Sequence, residues 1–186
     1  MIVASILWRR LDAPGHDACR VERDGFGWRL EGTAVFLLGG EPANLSYRVS
    51  CDAGWKTASG RVHGAIGERP VEHFVAREEG RWRLDGEAVA GLDHVEDLDL
   101  SFTPATNLLQ IKRADLPIGK AVRLPAAWLN VETGALTALE QIYERRSEGA
   151  FYYCAPELGY EGLLELAPNG FVRRYPGLWE AEPPGA

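Results

Sequence analysis

The chain has few cysteines, and no two of them stand at the spacing of a metal or redox site. Cys19, Cys51 and Cys154 lie far apart in a sequence of 186 residues. The absence of a C-x-x-C pair argues against a zinc ribbon or a dithiol redox motif. Each cysteine stands in an apolar or alternating run, so we expect buried, reduced thiols and a cytoplasmic location.

Long hydrophobic runs are also missing. The apolar run that begins at Ile2 is too short to span a bilayer, and Arg9 and Arg10 follow it instead of preceding it as in a secretory signal. We therefore expect a first strand there and no stable membrane insertion. Nor is there a basic surplus: the net charge of −7 argues against a nucleic-acid partner, which requires a dense cationic face.

The sequence lacks the short motifs of the common enzyme classes. It contains no G-x-S-x-G elbow, no H-E-x-x-H, no P-loop and no G-x-G-x-x-G after a strand. His63, His73 and His94 are scattered beside predicted strands, which is a weak pattern for a metal site. We therefore expect neither a metal nor a cofactor.

Turn signals and short alternating segments dominate what is present. Asp24-Gly25, Gly39-Gly40, Glu79-Gly80 and Asn169-Gly170 each suit a tight reversal. The segment from Leu45 to Cys51 alternates apolar and polar residues, as a half-buried strand does. Such strands, with 46% hydrophobic residues overall, predict a mainly β, antiparallel fold. The length favours a single domain over 1–180, followed by a disordered tail over 181–186.

The segment DLDLSFTPATNLLQIKRADL, residues 97–116, changes character midway. Leu98 and Leu100 alternate with polar residues as in a strand, and both aspartates of the strand, Asp97 and Asp99, project from one face. Thr103-Pro104 then suits an N-cap followed by the first helical position, which predicts a short helix over 103–113. Polar and basic side chains thus gather where two kinds of structure meet, as they do at many binding sites.

The segment ALTALEQIYERR, residues 135–146, is ambiguous from propensity alone. Leu136, Leu139 and Tyr143 fall at helical spacing, and most of the other residues are good helix formers. The same segment also alternates as a strand would, with Leu139 and Tyr143 on one side. Residue chemistry favours the helix and leaves the strand open.

Five segments in this order resemble the bacterial glycolipid-binding family: DLDLSFTPATNLLQIKRADLPIG, PAAWL, LEQIYERR, FYY and YPGLW. The resemblance runs from about Trp8 to Trp179. It implies a spiral β-roll, a long antiparallel sheet curled around a single α-helix and similar to the periplasmic lipoprotein carriers. It also implies a lipid-like or glycolipid ligand and a homodimer, and it makes residues 135–146 strand. It brings no catalytic residues.

Two positions depart from the family pattern. Gln110 stands where we expect a proline, so the chain after the T-P-x-T-N block is expected to turn differently. Lys112 stands where we expect an arginine, which keeps the charge but loses the planar fork that binds anions bidentately.

Ten residues are candidates for ligand contact because they are cationic, can hydrogen-bond a sugar, or could form an aromatic wall. They are Trp55, Asp97, Asp99, Thr106, Asn107, Lys112, Arg113, Trp128, Tyr143 and Tyr153. Each has a structural alternative. The arginine can pair with a nearby aspartate, the threonine and asparagine can cap the helix, and the aromatic side chains can fill a β core.

Three functions remain open on this reading. The first is a non-catalytic binder with an apolar cleft whose mouth carries Arg113 or Lys112. The second is an enzyme acting on a lipid or sugar ester, with Asp97 or Asp99 and a histidine such as His94 as acid and base. The third is a dimeric interaction scaffold.

Overall fold

The computed structural model of the chain describes residues 1–183. These residues form a large antiparallel sheet, a small mixed sheet, one α-helix and one short 3-10 helix. The large sheet contains β1 (Ile2–Arg10), β2 (Gly15–Arg23), β3 (Gly27–Leu38), β4 (Glu41–Asp52), β5 (Thr57–Ile66), β6 (Arg69–Glu78), β7 (Arg81–Leu84), β8 (Glu87–Val89), β10 (Ala121–Arg123), β13 (Ile142–Ser147), β14 (Ala150–Ala155), β15 (Tyr160–Leu166), β16 (Val172–Tyr175) and β17 (Trp179–Ala181). The small sheet contains β9 (Asp97–Leu100), β11 (Ala126–Asn130) and β12 (Ala135–Leu139). The α-helix, α1, is Asn107–Ala114, and the 3-10 helix is Pro156–Leu158.

The large sheet confirms the predicted mainly β, antiparallel fold. Its fourteen strands follow the spatial order β10-β13-β14-β15-β16-β17-β1-β2-β3-β4-β5-β6-β7-β8. The order ends at β10 and at β8, so the sheet is not closed into a barrel. The pairing of β17 with β1 joins the first strand to the last, with Trp8 opposite Ala181.

The small sheet has two faces of different chemistry. β9 pairs in parallel with β11, and β11 pairs antiparallel with β12. Leu98 and Leu100 on one face join the main hydrophobic core, together with Leu129. Because side chains alternate along a strand, Asp97 and Asp99 project from the other face, as the sequence predicts.

The helix contributes to two hydrophobic cores. Leu108 and Leu109 belong to the main core, which is formed largely by β1–β6 and the small sheet. Ile111 belongs to a second core with Phe151 and Leu164 of the β13–β15 region. The helix therefore packs against both halves of the chain, and its polar side chains are brought into the interior with it.

The helix begins later than predicted. It starts at Asn107, with Thr106 as the N-cap residue. The Thr103 hydroxyl accepts a bond from the Ala105 N–H, 3.0 Å away, and donates to the buried carboxylate of Asp17. Thr103 therefore stabilises a turn before the helix, so the prediction of a helix over 103–113 is wrong at its N-terminal end. Gln110 lies inside the helix and not in a turn.

The ambiguous segment 135–146 is strand, as the family resemblance predicts, but it is two strands and not one. β12 ends at Leu139 in the small sheet, and β13 begins at Ile142 in the large sheet. Between them, Gln141 is fully buried and hydrogen-bonded. Tertiary burial of this glutamine therefore outweighs the helical propensity of its neighbours.

The predicted C-terminal tail falls partly outside the described residues. Ala181 is the last residue of β17, and the Glu182 N–H donates to the Leu7 carbonyl oxygen at 2.8 Å. The chain is thus still bonded to the sheet at 182, and 184–186 lie beyond the part that the structure describes. Within residues 1–183, no helix has the length and apolarity needed to cross a membrane.

Gly60 allows the two sheets to approach each other. A Cβ atom at Gly60 would lie 2.2 Å from Cδ2 of Leu98, which is fully buried on β9. We expect Gly60→Ala to lower the free energy of unfolding by about 1–3 kcal/mol, the usual cost of overpacking. Denaturant unfolding of Gly25→Ala is the control, because nothing lies within 4 Å of its added Cβ. Equal stability of the two variants would contradict this account of sheet packing.

Candidate functional site

Arg113, at the end of α1, is bound to carboxylates of the protein itself. Its Nε and Nη2 donate to the Asp97 carboxylate, at 3.0 Å to Oδ1 and 2.5 Å to Oδ2. Its Nη1 lies 2.9 Å from Oε2 of Glu96, whose other oxygen lies 2.6 Å from Nζ of Lys56. Arg113 is therefore observed in an internal ion pair, which is the structural alternative to a ligand anchor.

The negative charge of the Asp97 carboxylate is stabilised by its pairing with Arg113. Its side chain is fully buried, and burial raises the pKa of its carboxyl above the ordinary value because ionisation is disfavoured away from water. The hydrogen bonds and charge of Arg113 act in the opposite direction. Without the guanidinium, the Asp97 carboxylate would be an uncompensated buried charge.

Asp99 is buried in a network of uncharged partners. The Thr106 hydroxyl donates to its Oδ1 at 2.8 Å, and the Gln141 amide donates to its Oδ2 at 2.5 Å. The Gln110 amide donates in turn to Oε1 of Gln141 at 2.9 Å. Burial raises the pKa of Asp99 to about 6, and these hydrogen bonds limit the rise.

The predicted aromatic wall continues this network into the second core. The Asn107 amide donates to the Tyr143 hydroxyl oxygen at 2.7 Å, and that hydroxyl donates to Gln141 Oε1 at 3.3 Å. The ring centroids of Tyr143 and Tyr153 are 5.0 Å apart. Both tyrosines are at most 2% exposed. Asn107 and the two tyrosines thus contact other protein side chains.

The two candidate tryptophans lie outside these hydrogen bonds. Trp55 stacks on Trp28, with ring centroids 4.3 Å apart, at the end of the β4–β5 hairpin. Trp128 is half-buried on β11, where the register pairs it with Asp99 on one side and Thr137 on the other. Since paired residues project from the same face, Trp128 stands beside Asp99 on the polar face of the small sheet.

Most of the candidate residues therefore lie close together in the structure, but their hydrogen bonds and ring contacts are made with other protein side chains. Reasoning from sequence missed Gln141, a fully buried member of the network, because a single polar residue in an ambiguous segment carries no periodic signal. The sequence identifies Gln110 only as a departure from the family pattern. Its Oε1 is buried with no hydrogen-bond partner in the part of the chain described. The assignment of these residues to a ligand stays a prediction.

A groove of about 1410 Å³ lies on the face of the large sheet's central strands that points away from the main core. It runs between β1–β3 and the β15–β17 region. Its floor contains a row of small or apolar side chains, because the register aligns Leu7 of β1 with Ala18 of β2 and Thr33 of β3. The next row along the strands is Ser5, Arg20 and Glu31. That row is polar and borders the apolar floor.

The charged side chains of the groove balance one another. Arg9 pairs with Glu180 at 2.5 Å, and Arg20 pairs with Glu31 at 2.8 Å. Arg173 pairs with Glu165 on the opposite wall. These guanidinium–carboxylate pairs place hydrogen-bond donors and acceptors side by side, with little net charge.

A smaller cavity of about 420 Å³ lies at the C-terminal end of α1. Ile111, Phe151 and Leu166 contribute apolar surface, and Lys112 and Arg145 contribute positive charge. Of the ten candidate residues, Lys112 lines this cavity, and the other nine line neither it nor the groove.

The structure is thus that of a mainly antiparallel β protein with a hydrogen-bonded interior and an amphipathic groove. The chain belongs to the family described as "Putative glycolipid-binding", whose model matches residues 5–181. A crystal structure of a DUF1089 family protein from Pseudomonas aeruginosa is similar in fold, with a TM-score of 0.77 and 23% identity over 88% of this chain and 91% of that chain. None of the curated proteins matches the chain.

Removal of the Arg113 guanidinium tests its structural role. We expect Arg113→Ala to lower the free energy of unfolding by about 3 kcal/mol at pH 7, because Asp97 is left buried and unpaired. Arg113→Met combined with Asp97→Leu should recover most of this loss. Chemical denaturation measures both, and Arg123→Ala, an exposed arginine on β10, is the control. Wild-type stability in Arg113→Ala would contradict the role.

The buried Asp99 carboxyl predicts a pH dependence of stability. Its pKa is about 6 in the folded protein and near the ordinary value of 3.8 in the unfolded chain. The folded state therefore binds the extra proton between pH 4 and 6, and stability falls as the pH rises through this window. Across the whole titration, the free energy of unfolding of wild type should fall by about 3 kcal/mol relative to that of Asp99→Asn, since each unit of pKa difference corresponds to about 1.4 kcal/mol.

Urea unfolding of wild type and Asp99→Asn at pH 4, 5, 6 and 7 measures this difference directly. Glu68→Gln, at an exposed turn, is the control for neutralising a surface carboxylate. A stability difference that stays constant from pH 4 to 7 would show that Asp99 is not the titrating group.

Proposed function

We propose that the chain is a non-catalytic binding protein for a glycolipid or another lipid-like amphiphile. The observation that carries the proposal is the groove beside β1–β3, which combines an apolar floor with paired charges in a chain of this family. We also propose that the open, curled sheet and its single helix form a spiral β-roll of the lipoprotein-carrier type. The similar crystal structure supports the fold alone.

The groove floor suits the apolar part of an amphiphile. Leu7 is 46% exposed on β1, beside the small side chain of Ala18. Each methylene removed from water contributes about 0.8 kcal/mol, so a short alkyl segment on this floor gives useful affinity without any covalent chemistry.

The groove walls suit a hydroxylated head group. A sugar hydroxyl can donate to a carboxylate and accept from a guanidinium at the same time. The Arg9–Glu180 and Arg20–Glu31 pairs offer both groups on neighbouring strands. The balance of their charges favours a neutral sugar there over an ionic group.

The interior network supports placing the ligand in this groove and not among the buried candidates. Thr106, Asn107 and Arg113 already bond to protein partners. A ligand bound to them would first have to break these bonds, and each broken bond would leave a buried group unpaired.

No observation favours the enzyme alternative. Asp97 is paired with Arg113, and Asp99 bonds to Thr106 and Gln141. His94 is exposed and makes no hydrogen bond to either carboxylate within residues 1–183. Homodimerisation and the cytoplasmic location stay predictions.

Occlusion of the groove tests the proposed function. We expect wild type to bind dodecyl maltoside below its critical micelle concentration with 1:1 stoichiometry, as measured by isothermal titration calorimetry. Ala18→Trp fills the groove floor and should weaken binding at least tenfold. Ala88→Trp is the matched control, because Ala88 is also an exposed alanine on a strand of the large sheet and lies outside the groove.

Two results would contradict the proposal. One is the absence of binding in wild type across alkyl glycosides of several chain lengths. The other is equal weakening by Ala18→Trp and Ala88→Trp, which would place the amphiphile elsewhere. Circular dichroism of both variants establishes that the β fold is retained in each comparison.

A further inference from the structure

We propose that the amphiphile carries one anionic group, a phosphate or a carboxylate, and that Lys112 binds this group. This inference rests on the proposed function. It concerns the seam between the groove and the smaller cavity, which we define as Ala167 and Pro168, the residues that line both.

The two cavities adjoin at one turn of the chain. Ala167 and Pro168, between β15 and β16, line both the groove and the smaller cavity. Asn169 fixes this turn to the first strand, because its side-chain amide donates to the Ser5 carbonyl oxygen at 3.2 Å. An elongated ligand can therefore lie in the groove and pass over the turn into the smaller cavity.

Lys112 lies against that same turn. A Cβ atom built on Gly170 would be 2.9 Å from Nζ of Lys112 and 2.8 Å from its Cε. Gly170 has a φ of +90°, a backbone conformation that favours glycine, and the absence of a side chain there leaves room for the end of the lysine. The ammonium group therefore lies beside the seam between the two cavities.

The charge of Lys112 is not used within the described chain. Across residues 1–183, no carboxylate oxygen lies within 4.0 Å of its Nζ, whereas Arg9, Arg20 and Arg173 of the groove are all paired. The neighbouring cation, Arg145, is engaged by the Leu116 carbonyl oxygen at 2.8 Å. Lys112 thus supplies the free donors at this position.

The acidic residues around the smaller cavity do not neutralise Lys112 directly. Glu148 is 89% exposed and pairs with Arg145 at 3.3 Å, and Asp115 is exposed beyond the end of the helix. Three free N–H donors on a compact ammonium suit a phosphate or carboxylate oxygen well. The groove pairs, by contrast, suit neutral hydroxyls. This division of charge locates the anion at the seam.

Matched twelve-carbon probes test the inference. Dodecyl phosphate and dodecanoate carry the anion, and dodecyl maltoside does not. We expect Lys112→Gln to weaken binding of at least one anionic probe about tenfold and to change dodecyl maltoside binding less than twofold. Lys112→Arg should retain most of the affinity. Lys120→Gln is the matched control, because Lys120 is exposed and lines neither cavity.

Direct observation of the ammonium is feasible because the chain has only three lysines, Lys56, Lys112 and Lys120. Reductive methylation with ¹³C-formaldehyde keeps their charge and gives each a separate NMR signal. We expect the Lys112 signal, identified by its loss in Lys112→Gln, to shift with dodecyl phosphate while the Lys120 signal stays unchanged.

The outcomes separate this inference from the function on which it rests. If dodecyl maltoside binds and Ala18→Trp weakens that binding at least tenfold, but neither anionic probe responds to Lys112→Gln, the anion site is overturned and the amphiphile function stands. If none of the three probes binds to wild type, both fail. A response to dodecyl phosphate alone, or to dodecanoate alone, identifies which anion the site takes.

Discussion

The ion pair between Asp97 and Arg113 is the constraint on which the interior depends. Asp97 belongs to the small sheet and Arg113 to the helix, and the helix packs in both hydrophobic cores. A fully buried carboxylate requires a charged or hydrogen-bonding partner. The position of Asp97 on β9 therefore constrains the position of the end of α1, which carries Arg113. Lys56 and Glu96 extend the contact to the large sheet. This one ion-pair requirement thus links the helix to both sheets.

A largely hydrogen-bonded interior limits the places that are available to the proposed ligand. The side chains that looked most suitable for recognition are the ones that make the buried network possible, since aspartate, threonine and asparagine serve both purposes. Once they are bonded to one another, further recognition has to use surface groups. The paired charges of the groove proposed as the binding site are partly exposed to solvent. In this fold, the polar interior contributes stability, and the proposed binding function depends on the sheet surface.

The sequence predicts what is local and misses what the topology assembles. The alternation around Leu98 reveals a strand with both aspartates on one face, and the pairing of Arg113 with an aspartate follows from ordinary ion-pair chemistry. The start of α1 is misplaced because the Thr103 hydroxyl bonds to Asp17, 86 positions away. The groove has no local signature at all. Its floor arises from the register of β1 to β3, and its wall comes from residues after Glu165.

The departure at Gln110 shows how this chain fills its centre. A proline at this position, the family expectation, would supply no side-chain donor and would remove a backbone N–H inside the helix. The glutamine instead donates to Gln141, which in turn donates to Asp99. Its own Oε1 is left without a partner among residues 1–183, so the network is extended at the cost of one buried acceptor. Hydrogen-bonded polar groups and packed tyrosines therefore occupy the space that a hollow interior would need, so the proposed function rests on the groove.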